Sequence, residues 1–128
     1  PRVLIVTADD PWRESCVHAF IAEGCEVHTV LSGLCALESL HKHFFEVVVC
    51  DDSCSDMAPM EFILNATDLA PNKPTLMLGG KDLEQFDYVW RRWNVLLASP
   101  KNGLISMIPK CVKEVRKRFR SSKGAYRH

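Results

Sequence analysis

Residues 44–56 read FFEVVVCDDSCSD. Val47, Val48, Val49 and Cys50 form an apolar run without a polar break, the pattern of a strand buried on both faces of a parallel sheet. The run ends in two carboxylates, Asp51 and Asp52. In an open α/β sheet, ligands and reactive groups gather beyond the carboxyl ends of the strands. The run therefore delivers Asp51 to the edge where a reactive group would be useful.

The segments on either side repeat this pattern. Residues 3–6 read as a first buried strand, followed by a loop of Thr7, Ala8, Asp9 and Asp10. Asp10 is the expected cap of a first helix, with Pro11 at its first position and Val17, Phe20 and Ile21 on its inner side. Gly24 ends that helix, and residues 25–30 form a second strand. After Ser32 and Gly33, the residues Leu34, Leu37 and Leu40 line a second helix. Met57 to Pro59 lead into a third, carrying Met60, Ile63 and Leu64 and ending before Pro71. Residues 75–78 are a fourth strand stopped by Gly79 and Gly80, residues 82–92 a fourth helix, and residues 95–98 a fifth strand. A last helix repeats Leu104, Ile108, Val112, Val115 and Phe119. Five strands alternating with five helices call for a flavodoxin-like, doubly wound parallel sheet in the order 2-1-3-4-5, with its switch point between strands one and three. That order puts the loop at residues 7–10 beside Asp51.

A chain of 128 residues, 47% of them apolar, builds one domain with a sizeable core. We expect one domain over residues 1–120 and a basic tail, or a linker to a further domain, over 121–128. No stretch of 18 apolar residues is present and the first strand starts at once, so neither a membrane span nor a signal peptide is expected, and the location is expected to be cytoplasmic. The chain starts at Pro1 without an initiator Met and ends abruptly, as a segment of a longer protein would. The six cysteines show no CxxC pair, which fits a reduced compartment and argues against zinc. The formal net charge of zero hides a split: nine Lys or Arg against the single acid Glu114 from Lys101 onward, and an acidic domain before it.

In Gly24-Cys25-Glu26-Val27, Ser32-Gly33, Ala36-Leu37 and the run from Phe45 to Asp51, with Arg13 in the first helix and Ser99-Pro100 after the fifth strand, the chain resembles the receiver domain of two-component response regulators over nearly its whole length. The resemblance implies that Asp51 is the phosphoacceptor. It also implies a divalent ion and a cation to neutralise the transferred group. Most of the family's other side chains are replaced. Thr7 and Ala8 stand where the acidic pair belongs, Gly79 at the hydroxyl position, Ser99 at the lysine and Leu96 at the switch aromatic.

The expectation is thus a pseudo-receiver that signals by protein contact, is not an enzyme and requires no cofactor. One alternative is a working receiver with a displaced Mg²⁺ site built from Asp9, Asp51 and Asp52, with Lys81 as a substitute cation. A small enzyme on the same scaffold is the other, although no phosphate-cradling glycine loop or nucleophile paired with a base is visible. The implied partners are a histidine kinase or an output domain, with homodimerisation allowed and Tyr88, Trp90 and Trp93 as a contact surface. The basic tail has no base-reading or stacking groups, so nucleic-acid contact is not expected.

Overall fold

The computed structural model describes residues 1–70, 73–81 and 94–126, with the side chains of the last helix described through Arg118. Its elements are β1 (Arg2–Val6), α1 (Asp10–Ala22), β2 (Glu26–Val30), α2 (Gly33–Lys42), β3 (Val47–Cys50), α3 (Pro59–Leu69), β4 (Thr75–Gly79), β5 (Asn94–Ala98) and α4 (Gly103–Tyr126). The strands form one parallel sheet in the expected order, β2-β1-β3-β4-β5. Four helices lie among the described residues; the helix expected at 82–92, with Tyr88, Trp90 and Trp93, falls outside them.

Because successive strand residues face opposite sides, the sheet divides its apolar residues between two layers. Leu4, Val6, Val48, Cys50, Leu76 and Leu78 pack with Ala36, Leu40, Phe62, Ile63 and Ala66 from α2 and α3. Val3, Ile5, Val47, Val49 and Met77 pack with Trp12, Cys16 and Phe20 from α1 and with Leu104, Ile108, Cys111, Val112 and Val115 from α4. Phe20 and Phe45 are essentially fully buried, each worth about 2–3 kcal/mol in hydrophobic transfer.

Three helix faces differ from the sequence expectation. Leu34 is exposed, and the buried stripe of α2 is Gly33, Ala36 and Leu40, because the helix rotates its small residues onto the sheet. In α1 the stripe is Trp12, Cys16 and Phe20 at four-residue spacing, which turns Ile21 outward. In α3, Phe62, Ile63 and Ala66 face inward and Leu64 outward.

The helix starts place the loops. Asp9, rather than Asp10, caps α1: its side chain accepts from the backbone N–H of Trp12 at 3.1 Å. Asp10 instead lies within the first turn and pairs with Arg13 at 2.7 Å. Ser32 caps α2 through the Cys35 N–H, and Asp56 adds both carboxylate oxygens to the same helix start, accepting from Gly33 and Leu34 N–H at 3.0 Å each. The turn that follows β3 is therefore tied to α2. Gly24, at φ +79°, takes the left-handed position after α1. The last helix continues to Tyr126, through the boundary expected at residue 120.

Candidate functional site at the carboxyl edge of the sheet

Thr7, Asp51 and Gly79 each continue the strand parity that faces α1 and α4: Val3, Ile5 and then Thr7; Val47, Val49 and then Asp51; Met77 and then Gly79. Register aligns the first two, since Val6 pairs with Cys50. Thr7 and Asp51 are accordingly buried polar residues at the end of an apolar layer, and the Asp51 side chain is 0% exposed.

A carboxylate so enclosed needs partners, and it has them on both oxygens. Asp51 Oδ1 accepts from the Ser53 hydroxyl at 2.7 Å and the Ser53 N–H at 3.2 Å. Its Oδ2 accepts from the Thr7 hydroxyl at 2.9 Å and from Lys101 Nζ at 2.9 Å. The hydroxyls are themselves positioned, because Ser53 Oγ accepts from Ala8 N–H at 2.8 Å and Thr7 Oγ1 from Asp9 N–H at 3.1 Å. With each hydroxyl proton committed to Asp51, the 3.0 Å contact between Thr7 and Ser53 has no proton of its own.

Lys101 reaches this carboxylate from the turn between β5 and α4. Its Nζ also meets Asp9 Oδ2 at 2.6 Å, so one ammonium bridges two carboxylates. Trp12 holds the lysine at both ends: the indole Nε1 donates to Lys101 O at 3.2 Å, and the ring lies 5.3 Å from Nζ, within cation–π range. Gly79 leaves the space the lysine stem occupies. A Cβ at that position would lie 2.7 Å from Lys101 Cβ and 3.3 Å from Trp12 Cζ2. The glycine and the lysine are a steric pair.

The charges reinforce one another. Hydrogen bonding to Lys101, then to the Trp12 N–H, holds the Asp9 carboxyl below its ordinary range. Burial pulls the Lys101 ammonium down, but its hydrogen bonds and charge contacts with Asp9 and Asp51 outweigh that, so its net shift is upward. Both groups are ionised at neutral pH. Nearby thiols are kept protonated: burial, assisted by the Asp51 charge, pushes Cys16 up to about 12 and raises Cys50 and Cys54 as well. Cys50 and Cys54, which flank the acidic turn, therefore carry little thiolate for redox chemistry.

Of the residues singled out from sequence, Asp51, Thr7 and Asp9 converge. Asp52 is exposed and lies against Gly80, 3.6 Å from where its Cβ would be. Ala8 contributes only its N–H. Ser99 is exposed and joined to Pro100 by a cis peptide bond, and Leu96 is partly buried against the α1/α4 layer. Lys81 is exposed, and the ammonium on Asp51 belongs to Lys101 instead. Sequence reasoning missed Lys101, Ser53 and Trp12. Asp51-Asp52-Ser53 did carry a signal, since Asp side chains often bond the backbone two residues on. Lys101 had a weaker one, a lysine in the turn just beyond a strand's carboxyl end.

A resident divalent ion does not fit these residues. Mg²⁺ needs oxygen ligands with free lone pairs. The four acceptor positions of Asp51 are used by Ser53, Thr7 and Lys101, and the Lys101 ammonium lies between the Asp51 and Asp9 oxygens that would have to share the ion. Among the described residues no group of three or more His, Cys, Asp or Glu side chains is gathered for a metal.

In comparison with known proteins, no family model and no curated protein matches the chain. Solved structures do. The chain is similar to a CheY-like response regulator receiver domain protein from Methanospirillum hungatei JF-1, with 23% identity, a TM-score of 0.70, and 91% of this chain and 97% of that one covered. A CheY-like receiver domain from Methylobacillus flagellatus aligns at 15% identity and a TM-score of 0.75, covering 89% and 97%. A structure described as adenylate cyclase from Rhodopirellula baltica aligns at 20% identity and a TM-score of 0.72, covering 99% and 98%. At these identities the likeness establishes the receiver-type fold, and the same fold carries different descriptions.

Proposed function

We propose that this chain is a receiver-like signalling domain that acts by protein contact, with its acceptor-position aspartate held closed from within. The observation that carries this reading is the saturation of Asp51: Lys101, Thr7 and Ser53 donate to both of its oxygens, and the carboxylate has no exposed surface. For Asp51 to attack a phosphoryl donor, an oxygen must first lose a partner. Partners of this reading are a kinase or an output domain, met in the cytoplasm. No described helix is long and apolar enough to cross a membrane.

One observation favours a second reading. Lys101 supplies beside Asp51 the cation that Ser99 lacks, as a working receiver phosphorylated on Asp51 would require. The experiment that separates the two is incubation of the 128-residue chain with acetyl phosphate, or with beryllofluoride and Mg²⁺, followed by amide spectra. The closed-site reading expects no change around Asp51. A shift in those signals that disappears in Asp51→Asn would establish the working receiver.

A further inference from the structure

The ammonium of Lys101 lies 2.6 Å from one Asp9 oxygen and 2.9 Å from one Asp51 oxygen. An ion bridging those two oxygens at metal–ligand distances would have to occupy nearly the same point. Two further features make the lysine a fixture rather than a passing surface ion pair. Its carbonyl accepts both from the Trp12 indole and from the Leu104 N–H that opens α4, so its backbone is held where β5 hands over to the helix. Its stem crosses Gly79, a position at which any Cβ would collide with it.

We propose that Lys101 is a tethered cation that replaces a divalent ion at the carboxyl edge of this sheet, and that Gly79 is the residue that admits it. The inference rests on the proposed reading only in placing the site at Asp51. Its content is a single exchange of cations: one ammonium neutralises part of the charge on Asp9 and Asp51 and links β1–α1, β3 and β5–α4. A divalent ion is excluded both by occupancy and by repulsion from the ammonium. When the ammonium is removed, one oxygen of Asp9 and one of Asp51 are left facing one point. These are hard oxygen donors of the kind Mg²⁺ and Mn²⁺ take.

The test is a titration of the 128-residue chain with Mn²⁺, read as paramagnetic broadening of amide signals, alongside thermal melts with and without millimolar Mg²⁺. In the wild type we expect no selective broadening at residues 7–10 and 50–53 and a midpoint indifferent to Mg²⁺. Lys101→Met should gain both responses, and Asp9→Asn in that background should abolish them. Gly79→Thr, which pushes the stem aside, should gain a weaker version. Selective broadening in the wild type overturns the proposal, and so does a folded Lys101→Met that stays silent to both ions. If Lys101→Met is unfolded without metal, recovery of a cooperative melt on adding Mg²⁺ supports the proposal, since a ligand that binds only the native state stabilises it. Failure to recover moves the same criteria to Lys101→Gln, where silence or misfolding in Mg²⁺ overturns it. Phosphorylation of wild-type Asp51 in the presence of chelator would defeat the closed-site function and leave this inference standing. A silent Lys101→Met would do the reverse.

Discussion

The Asp51–Lys101 pair should be a measurable source of stability, and a double-mutant cycle isolates it. Lys101→Met keeps most of the stem and removes the ammonium, leaving a carboxylate of 0% exposure with its bonds from Thr7 and Ser53. Breaking a fully buried pair from one side costs about 3–5 kcal/mol, and a fully exposed pair is worth at most about 1 kcal/mol. Lys101 is 25% exposed against 0% for Asp51, and the retained donors continue to solvate the charge. The expected loss therefore lies between those limits, at about 2 kcal/mol. At about 4 °C per kcal/mol for a chain of this length, the midpoint falls by about 8 °C. Asp51→Asn should cost a similar amount, because its amide N–H group replaces an acceptor among donors. The double variant should lose much less than the sum, with a coupling of about 1.5–2 kcal/mol. Thermal and urea melts of all four proteins, at low salt and in 1 M NaCl (about 1 M, where the Debye length is about 3 Å), supply the cycle. A coupling below about 0.5 kcal/mol, or one abolished by the salt, would refute the buried bridge.

Gly79→Ala should destabilise by about 1 kcal/mol, the balance of about 1–3 kcal/mol of overpacking against about 0.5–1 kcal/mol regained by replacing glycine in a strand. A Lys101→Gly background, which removes the opposing Cβ but leaves the Lys101 Cα position 3.2 Å and Trp12 Cζ2 3.3 Å away, should reduce that cost in the same melts. The pH profile of the midpoint should fall away on both sides. Asp9 and Asp56 have native values below the ordinary 3.8, so their stabilisation is present above that value and is lost as pH falls through their lowered native values. Lys101 is raised above 10.5, so its contribution is complete below that value and disappears as pH climbs through the native one. Asp56→Ala should flatten the acid limb and Lys101→Met the alkaline one. Timed alkylation should modify exposed Cys35 first, while buried Cys16, Cys25, Cys50 and Cys111 react only on unfolding; rapid loss of the Cys16 thiol would contradict its packing behind Asp51.

How much of this was legible in the residues depends on the range of the interaction involved. Apolar runs are local, so Val47 to Cys50, Thr75 to Leu78 and the glycines after them mark the buried strands before any contact is known, and the alternation of strands with helices gives the sheet order. Side-chain alternation along each strand assigns Thr7, Asp51 and Gly79 to one face, and it follows from the period of two alone. Helix faces were less legible. In α2, small residues pack closest to the sheet, so Gly33 and Ala36 face it beside Leu40 and Leu34 turns outward. The choice between Asp9 and Asp10 as cap turns on one residue of phase that side-chain chemistry does not distinguish.

The sequence by itself determined that a buried strand ends in Asp51 at the carboxyl edge of a doubly wound sheet, and that Thr7, Ala8, Gly79 and Ser99 bring neither a carboxylate nor an ammonium to that edge. Only the tertiary structure decided what stands there in their place. Lys101 is 50 residues from Asp51 and 89 from Trp12, and no local periodicity relates them. They meet because β5 lies beyond β4, α4 starts at the same edge, and an absent side chain at Gly79 leaves the path open.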